Sequence, residues 1–314
     1  MNIKEASKST LAEFYRYYCY CRNPKMKDSS IRMRDGIFSN HILPYFKRKK
    51  LLNIKCADVE QWQGIILRKN LSPSRTRAIH SYLSSVFVFL ETRFGIGHNP
   101  CKQAGTIGRK KTYQEMKFWS VEEFSKVIRN VSNYEYQVAL YILFWTGIRK
   151  NELYGLTWID FDSNAGLLEV NKSYVRTNGS YYLGTLKNVD SYRTVTLPDF
   201  LIKILIEFKE YKKEKNKSFK ETDFIITWSK RKLEDAMREG EEKAKVKRIR
   251  VHDLRHSHAL LCLESKVNIV AISKRLGHSK TSVTVDMYGH MRPKNNEQLL
   301  NWMNEQHKNY LVKY

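Results

Sequence analysis

The sequence has no run approaching the roughly 20 apolar residues that a membrane-spanning helix needs. Its opening segment, Met1 to Tyr15, lacks the apolar centre of a secretory leader. A disulfide framework is missing too: the five cysteines, Cys19, Cys21, Cys56, Cys101 and Cys262, are odd in number and irregularly spaced. Cys19 and Cys21 stand too close for an ordinary zinc knuckle, and no second ligand pair follows. No internal repeat or low-complexity segment is visible. These absences lead to the expectation of a soluble, cytoplasmic protein with reduced thiols, no metal, no cofactor and no membrane partner.

Negative charge is also scarce. Against 56 Lys and Arg stand 32 Asp and Glu, a net of +24. Such an excess repels itself unless a polyanion neutralises it. Residues 1–112 hold 22 basic and 7 acidic side chains, net +15, and the remainder holds 34 and 25, net +9. A nucleic-acid phosphate backbone is the obvious partner. A merely basic surface would give the same count, so the motifs must decide.

The 314 residues suffice for two domains. From about Ser9 to Phe94 the pattern is mostly helical. Ser9 or Thr10 is expected to cap a helix through Phe14, Tyr15, Tyr17 and Tyr18, and Asp58 to cap one carrying Trp62, Ile65, Ile66 and Leu67. Ser72-Pro73-Ser74 opens another, with Ile79, Leu83, Val86, Phe87 and Leu90 at helical spacing. Aromatics so spaced read as core. Gly105 to Met116 is polar, basic and aperiodic, hence a linker. Ser120-x-x-Glu123 is a capping-box pattern that starts the second domain, with helices over Val121–Val131 and Tyr134–Thr146. Strands are expected over Gly166–Val175, Tyr181–Leu186 and Arg193–Leu197, with Asn178-Gly179 as a hairpin turn. Helix resumes at Asp199–Lys212.

Five short blocks share a chemical theme. In the first, Gly147 permits a tight turn and Arg149 begins a helix, where its guanidinium can make paired bonds to phosphate oxygens. Glu152, one turn on, can orient Arg149. The second is Lys187, just past the hairpin, a possible proton donor. In the third, His252-Asp253-Leu254-Arg255-His256, helical spacing puts His252 and Arg255 on one face and adds a group that titrates near neutral pH. The fourth is Leu276-Gly277-His278. The fifth is Tyr288, whose ordinary pKa near 10 means that it needs cations or a base to act as a nucleophile.

The ordered set Arg149, Lys187, His252-x-x-Arg255, His278 and Tyr288 resembles the active-site signature of tyrosine recombinases. The wording TGIRKNEL, HDLRHSHA, RLGHS and VDMYGH resembles phage and conjugative-element integrases, and the run from Lys187 to Arg193 keeps their pattern of Lys, then Ser, then Arg. The likeness covers roughly Phe118 to His290; the helical N-terminal region is similar to the family's core-binding domain more loosely. The resemblance implies a mainly α fold with a small antiparallel β-sheet in an α+β catalytic domain. It implies a helical core-binding, SAM-like DNA-binding domain over 1–104, a linker over 105–117, and a catalytic domain with a C-terminal tail over 118–314. It also implies roles. Tyr288 attacks the scissile phosphate to form a 3′-phosphotyrosyl bond, and Arg149 and Arg255 hold the non-bridging oxygens. Lys187 protonates the departing 5′ oxygen, His252 assists proton transfer with Tyr288, His278 hydrogen-bonds the phosphate, and Glu152 buttresses the site.

The expected partners are double-stranded recombination sites, a homo-tetramer on that DNA, and accessory bending or directionality factors. The tail, Arg292 to Tyr314, carries Leu299, Leu300, Trp302 and Met303 and is expected to pack on a neighbouring subunit. Arg75 and Arg77 are candidates for sequence reading. Many phage integrases carry a further small domain for arm-type DNA ahead of the core-binding region, which here starts almost at Met1. The competing readings are a Xer-type dimer resolvase, a type IB topoisomerase, and a non-catalytic relic that only occupies its site. The complete catalytic set argues against the last, and the tail and separate N-terminal domain against the topoisomerase. The charge carries a direct expectation. Affinity for duplex DNA should fall by about 10³-fold or more between roughly 50 and 200 mM salt, as for a protein neutralising 6–10 phosphates. Titrations in a salt series check this, and an affinity that stays level would contradict it.

Overall fold

The computed structural model of the chain describes residues 1–108, 116–177, 180–186, 191–227, 229, 231–265 and 267–288. Lys187, the turn residues Asn178 and Gly179, and the tail Arg292–Tyr314 lie outside the described residues. The fold is mainly helical with small antiparallel sheets, as the motifs implied. The chain forms two compact units, Met1–Glu115 and Met116–Tyr314. Among the described residues no helix is long and apolar enough to cross a membrane.

The first unit comprises α1 (Ile3–Lys8), α2 (Leu11–Arg22), α3 (Asp28–Ile37), α4 (Leu43–Phe46), α5 (Cys56–Arg68), α6 (Pro73–Phe94) and α7 (Pro100–Gln103). Thr10, rather than Ser9, caps α2: its hydroxyl accepts the Glu13 N–H, and the Glu13 carboxylate accepts the Thr10 N–H at 2.8 Å. The aromatic residues of α2 are core, with Phe14, Tyr15 and Tyr18 buried and Phe14 packed on Phe89 of α6. Val59, Trp62 and Ile66 of α5 join Ile79, Leu83, Val86, Phe87 and Leu90 of α6 in the same core. Each such side chain contributes about 1.5–3 kcal/mol on burial.

One expected cap is corrected. Asp58 does not begin α5, which starts at Cys56; Asp58 sits inside the first turn. From there its carboxylate accepts the Lys55 N–H at 3.0 Å and pairs with the Lys49 ammonium. An aspartate in the first turn satisfies a free N–H and complements the helix dipole without being the cap.

The second unit comprises α8 (Val121–Ile128), α9 (Tyr134–Thr146), α10 (Lys150–Leu153), β1 (Phe161–Asp162), β2 (Leu167–Val170), β3 (Lys172–Thr177), β4 (Ser180–Thr185), β5 (Arg193–Thr196), α11 (Asp199–Lys215), α12 (Lys232–Ala244), α13 (Leu254–Glu264), α14 (Ile269–Leu276) and α15 (Thr281–Tyr288). Ser120 and Glu123 form the capping box of α8. On α9, Val138, Ala139, Leu140, Ile142, Leu143 and Phe144 are all buried, so it is a core helix covered on several sides. The strands make two antiparallel sheets, one in the order β1-β2-β5 and one of β3 with β4, in which Thr177 stands opposite Ser180.

The single strand expected over Gly166–Val175 is therefore two strands in different sheets. The break falls at Asn171. There the buried carboxylate of Asp160 accepts the Asn171 amide at 3.0 Å and the Lys172 ammonium at 2.6 Å. A buried carboxylate needs such partners, and supplying them turns the chain away from β5. The same contact ties up Lys172, the strand lysine nearest upstream of Lys187.

Candidate active site

The site grows from two helix ends. The first is the end of α9. Gly147 takes the left-handed conformation, φ 67°, and a Cβ there would lie 2.6 Å from the His258 ring and 2.8 Å from Leu276. A glycine is therefore required twice over, for its backbone angle and for the space. This tight exit delivers Arg149 to the start of α10. Glu152 accepts the Arg149 backbone N–H at 2.8 Å and its Nη1 at 2.6 Å.

The second is the end of α14, where Gly277 is again left-handed, φ 67°. Three successive carbonyl oxygens here accept from three arginines. Arg193 Nε donates to Arg275 O at 2.8 Å, Arg255 Nη2 to Leu276 O at 2.5 Å, and Arg149 Nη2 to Gly277 O at 3.1 Å. Arg255 also reaches back to Gly147 O at 2.7 Å and so ties the two helix ends together. Arg193 Nη2 completes the frame by donating to Glu152 at 2.9 Å, so one carboxylate serves two guanidinium groups.

His258 is a brace behind this frame. Its Nδ1 faces Phe144 O at 3.0 Å and its Nε2 accepts from Arg275 Nε at 2.9 Å. Burial, then the Arg275 charge, push its pKa down to about 3, so it works as a neutral strut.

The expected site residues fall as follows. Arg149, Arg255, His278 and Tyr288 gather at the end of α14. Arg255 is 4% exposed, and burial followed by the Arg149 charge pulls its pKa down to about 9. His278 follows Gly277; its Nδ1 lies 2.7 Å from the Thr284 hydroxyl, and burial with Arg255 and Arg149 lowers its pKa to about 4. It is neutral at pH 7. Tyr288 is fully buried, and burial pushes its hydroxyl up to about 12 against the pull of Arg255. Its hydroxyl meets His256 Nδ1 at 2.6 Å. His252 is exposed in the turn before α13, and its ring stands edge-on to His256 with centroids 5.8 Å apart. Lys187 lies outside the described residues. In the first unit, Arg75 is half-buried on the first turn of α6, while Arg77 donates to Gly108 O at 2.6 Å.

Sequence reasoning passed over Arg193 and His256. Both lie inside quoted motifs, Arg193 at the end of the Lys-x-x-x-Ser-x-Arg run and His256 directly after Arg255. Their partners are 41 and 32 residues away along the chain, which local spacing does not reveal.

In chemical terms the site offers guanidinium donors for a tetrahedral anion, imidazoles that can move protons, and a phenol that can attack phosphorus. That is the outfit of a phosphoryl-transfer site. Residues 116–295 match the phage integrase family, and residues 10–66 match the phage integrase N-terminal SAM-like domain. The chain belongs to the phage integrase family of tyrosine recombinases. It is 26% identical over 278 residues to the ICEBs1 integrase of Bacillus subtilis, covering 84% of this chain and 74% of that protein. The fold is similar to that of the Tn1549 transposon integrase in complex with transposon right end DNA. There the TM-score is 0.71 at 17% identity, over 89% of this chain and 94% of that one. A lambda integrase tetramer bound to a Holliday junction gives a TM-score of 0.64 at 15% identity, over 89% and 80%.

Glu152 is the point to probe. Burial alone would raise its pKa, but Arg193, by hydrogen bond and charge, and then Arg149 outweigh that and hold it below the usual carboxylate range. A depressed carboxylate pKa means its stabilisation is present above the unfolded value and is lost as pH falls through the folded one. Glu152→Ala leaves Arg193, itself nearly buried, without its carboxylate. It should cost about 3–5 kcal/mol, as for removing one partner of a buried pair. Urea denaturation measures this. The difference from wild type should shrink on acidification below the carboxylate range, and an equally stable variant at pH 7 would contradict the account.

Proposed function

We propose that this chain is a site-specific recombinase. It cuts and rejoins duplex DNA at short recombination sites through a 3′-phosphotyrosyl bond on Tyr288, and serves the integration and excision of a phage or mobile element. The observation that carries the reading is the convergence of Arg149, Arg255, His278 and Tyr288 on the end of α14, which Arg149 reaches from 128 residues before Gly277. The likeness to the ICEBs1 integrase favours a mobile element over dimer resolution.

The roles are those the family resemblance implies, and the local chemistry of the described residues supports them. A guanidinium has five N–H donors, so Arg149 and Arg255 keep donors for phosphate oxygens beyond those spent on carbonyls. Negative charge building on the phosphate relieves the crowding of cations that lowers the Arg255 pKa. With Nδ1 accepting from Thr284, His278 presents Nε2–H to the phosphate. His252 takes part in the proton chemistry from its exposed place beside His256. Lys187 protonates the departing 5′ oxygen. The covalent bond conserves the energy of the broken one, so rejoining needs no nucleotide. The first unit serves as the core-binding domain, residues 105–117 as the linker, and the basic surfaces hold the duplex. Two recombination sites take four copies, with the tail Arg292–Tyr314 exchanged between neighbours and accessory bending or directionality factors setting the outcome. The place of action is the DNA in the cytoplasm.

The test is covalent capture on a nicked suicide substrate, whose short 3′ fragment diffuses away after cleavage and leaves the adduct. Wild type should give a denaturation-resistant protein–DNA species. Tyr288→Phe should give none while binding the same DNA with unchanged affinity. An adduct of normal yield from the variant would remove Tyr288 from its role.

A further inference from the structure

We propose that His256 is a catalytic residue of the cleavage step: its Nδ1 takes the proton of the Tyr288 hydroxyl as that oxygen attacks phosphorus. The inference rests on Tyr288 being the nucleophile.

Geometry comes first. A general base must stand within hydrogen-bond reach of the proton it takes. His256 Nδ1 lies 2.6 Å from the Tyr288 oxygen, whereas His252 stands in the exposed turn behind the His256 ring. The contact is sheltered, since Tyr288 is fully buried and His256 half-buried. The other ring nitrogen, Nε2, faces Asp253 Oδ1 at 4.0 Å. Asp253 is itself fixed by Arg250, which donates from its backbone N–H at 2.8 Å and from Nη2 at 2.7 Å. At 4.0 Å that carboxylate is too far to hydrogen-bond the ring, but its charge steadies the imidazolium once it forms.

The protonation states agree with this role. Burial first, then the His252 charge, hold His256 below the usual histidine value. It is therefore neutral at pH 7 with a lone pair to offer. Asp253 is held ionised by Arg250 against its own burial. Because the phenol is raised by burial, a free phenolate is disfavoured at rest, and the proton moves together with the attack. Among the described residues, the groups facing His256 are His252, Asp253 and Arg250 from the turn and its approach, Arg255 on its own helix, Tyr288 on α15, and His278 between α14 and α15. Of these only Asp253 is negative, so the imidazolium formed in the step has one counter-charge.

The balance is simple. The bond from the Tyr288 oxygen to phosphorus forms, the bond from phosphorus to the 5′ oxygen breaks, and the phenolic proton passes to His256 Nδ1. The 5′ oxygen takes its proton from the leaving-group acid assigned to Lys187. In rejoining, the 5′ hydroxyl attacks phosphorus and gives its proton back to the group assigned to Lys187, the bond from phosphorus to the Tyr288 oxygen breaks, and His256 returns the proton to the phenolate.

The experiment is single-turnover adduct formation by the full chain on a nicked substrate with sulfur at the 5′ bridging position. A thiolate, whose conjugate acid has a pKa near 8.5, leaves without a proton from the enzyme. The rate then reports on the nucleophile alone. Wild type should lose rate on the acid side as the pH falls below the ordinary histidine range and His256 protonates. His256→Ala should be slower by about 10²-fold or more at pH 7, without that acid limb and with DNA affinity intact. In His256→Asn the carboxamide oxygen takes the place of Nδ1, so the hydrogen bond survives and the basicity does not. It should be as slow as His256→Ala. A His256→Asn that works at the wild-type rate would reduce His256 to a positioning residue and overturn the proposal. So would a His256→Ala as fast as wild type or faster, or a wild-type rate level across the acid range. A wild type that forms no adduct, or a Tyr288→Phe that forms one, would instead overturn the assignment of the nucleophile beneath it.

Discussion

At the end of α14 the chain carbonyls of Arg275, Leu276 and Gly277 each accept a hydrogen bond from a different guanidinium, those of Arg193, Arg255 and Arg149. Helix C-termini leave such oxygens without intrahelical partners, and the helix dipole makes them partly negative. Arginine is well suited to the place, since it stays charged when buried and spreads its donors over several acceptors. Three segments distant in sequence are thereby bound to one short stretch of backbone. His278 and, through α15, Tyr288 take their positions from that stretch.

This arrangement sets a problem of charge. Arg149, Arg193 and Arg255 crowd together with, among the described residues, one carboxylate, Glu152, between them. Burying cations is expensive unless they are paired and hydrogen-bonded. The frame meets that cost with backbone oxygens and with imidazoles that are neutral rather than charged, as His258 and His278 are. What remains is an excess of positive charge, which a phosphate bound in the proposed role would offset. The same excess runs through the whole composition and gives the protein its demand for a polyanion. The local site and the overall charge thus answer to one ligand.

Much of this was legible in the sequence, because the informative features are local. The cap at Ser9 or Thr10, the capping box at Ser120, the tight turn at Gly147 before Arg149, and the helical period of α6 each depend on neighbours within a few residues. Less legible were features set by distant contacts. Asp160 breaks the expected strand at Asn171 through partners 11 and 12 residues on, and Asp58 turned out to lie inside its helix because Lys49 and Lys55 reach it there. Arg193 and His256 could be seen as letters in a motif, but their partners could not. His252 and His256 are one helical turn apart and chemically alike; which of them meets Tyr288 is decided by how α15 packs on α13.

The central claim is that a phosphodiester is attacked by the phenol of Tyr288, held beside this frame. Protein trapped on a suicide substrate can be trimmed with nuclease and protease and the modified peptide sequenced by mass spectrometry. The account predicts a peptide containing Tyr288 with a nucleotide joined through its 3′ phosphate to the phenolic oxygen. A nucleotide attached to another residue, or joined through a 5′ phosphate, would contradict it.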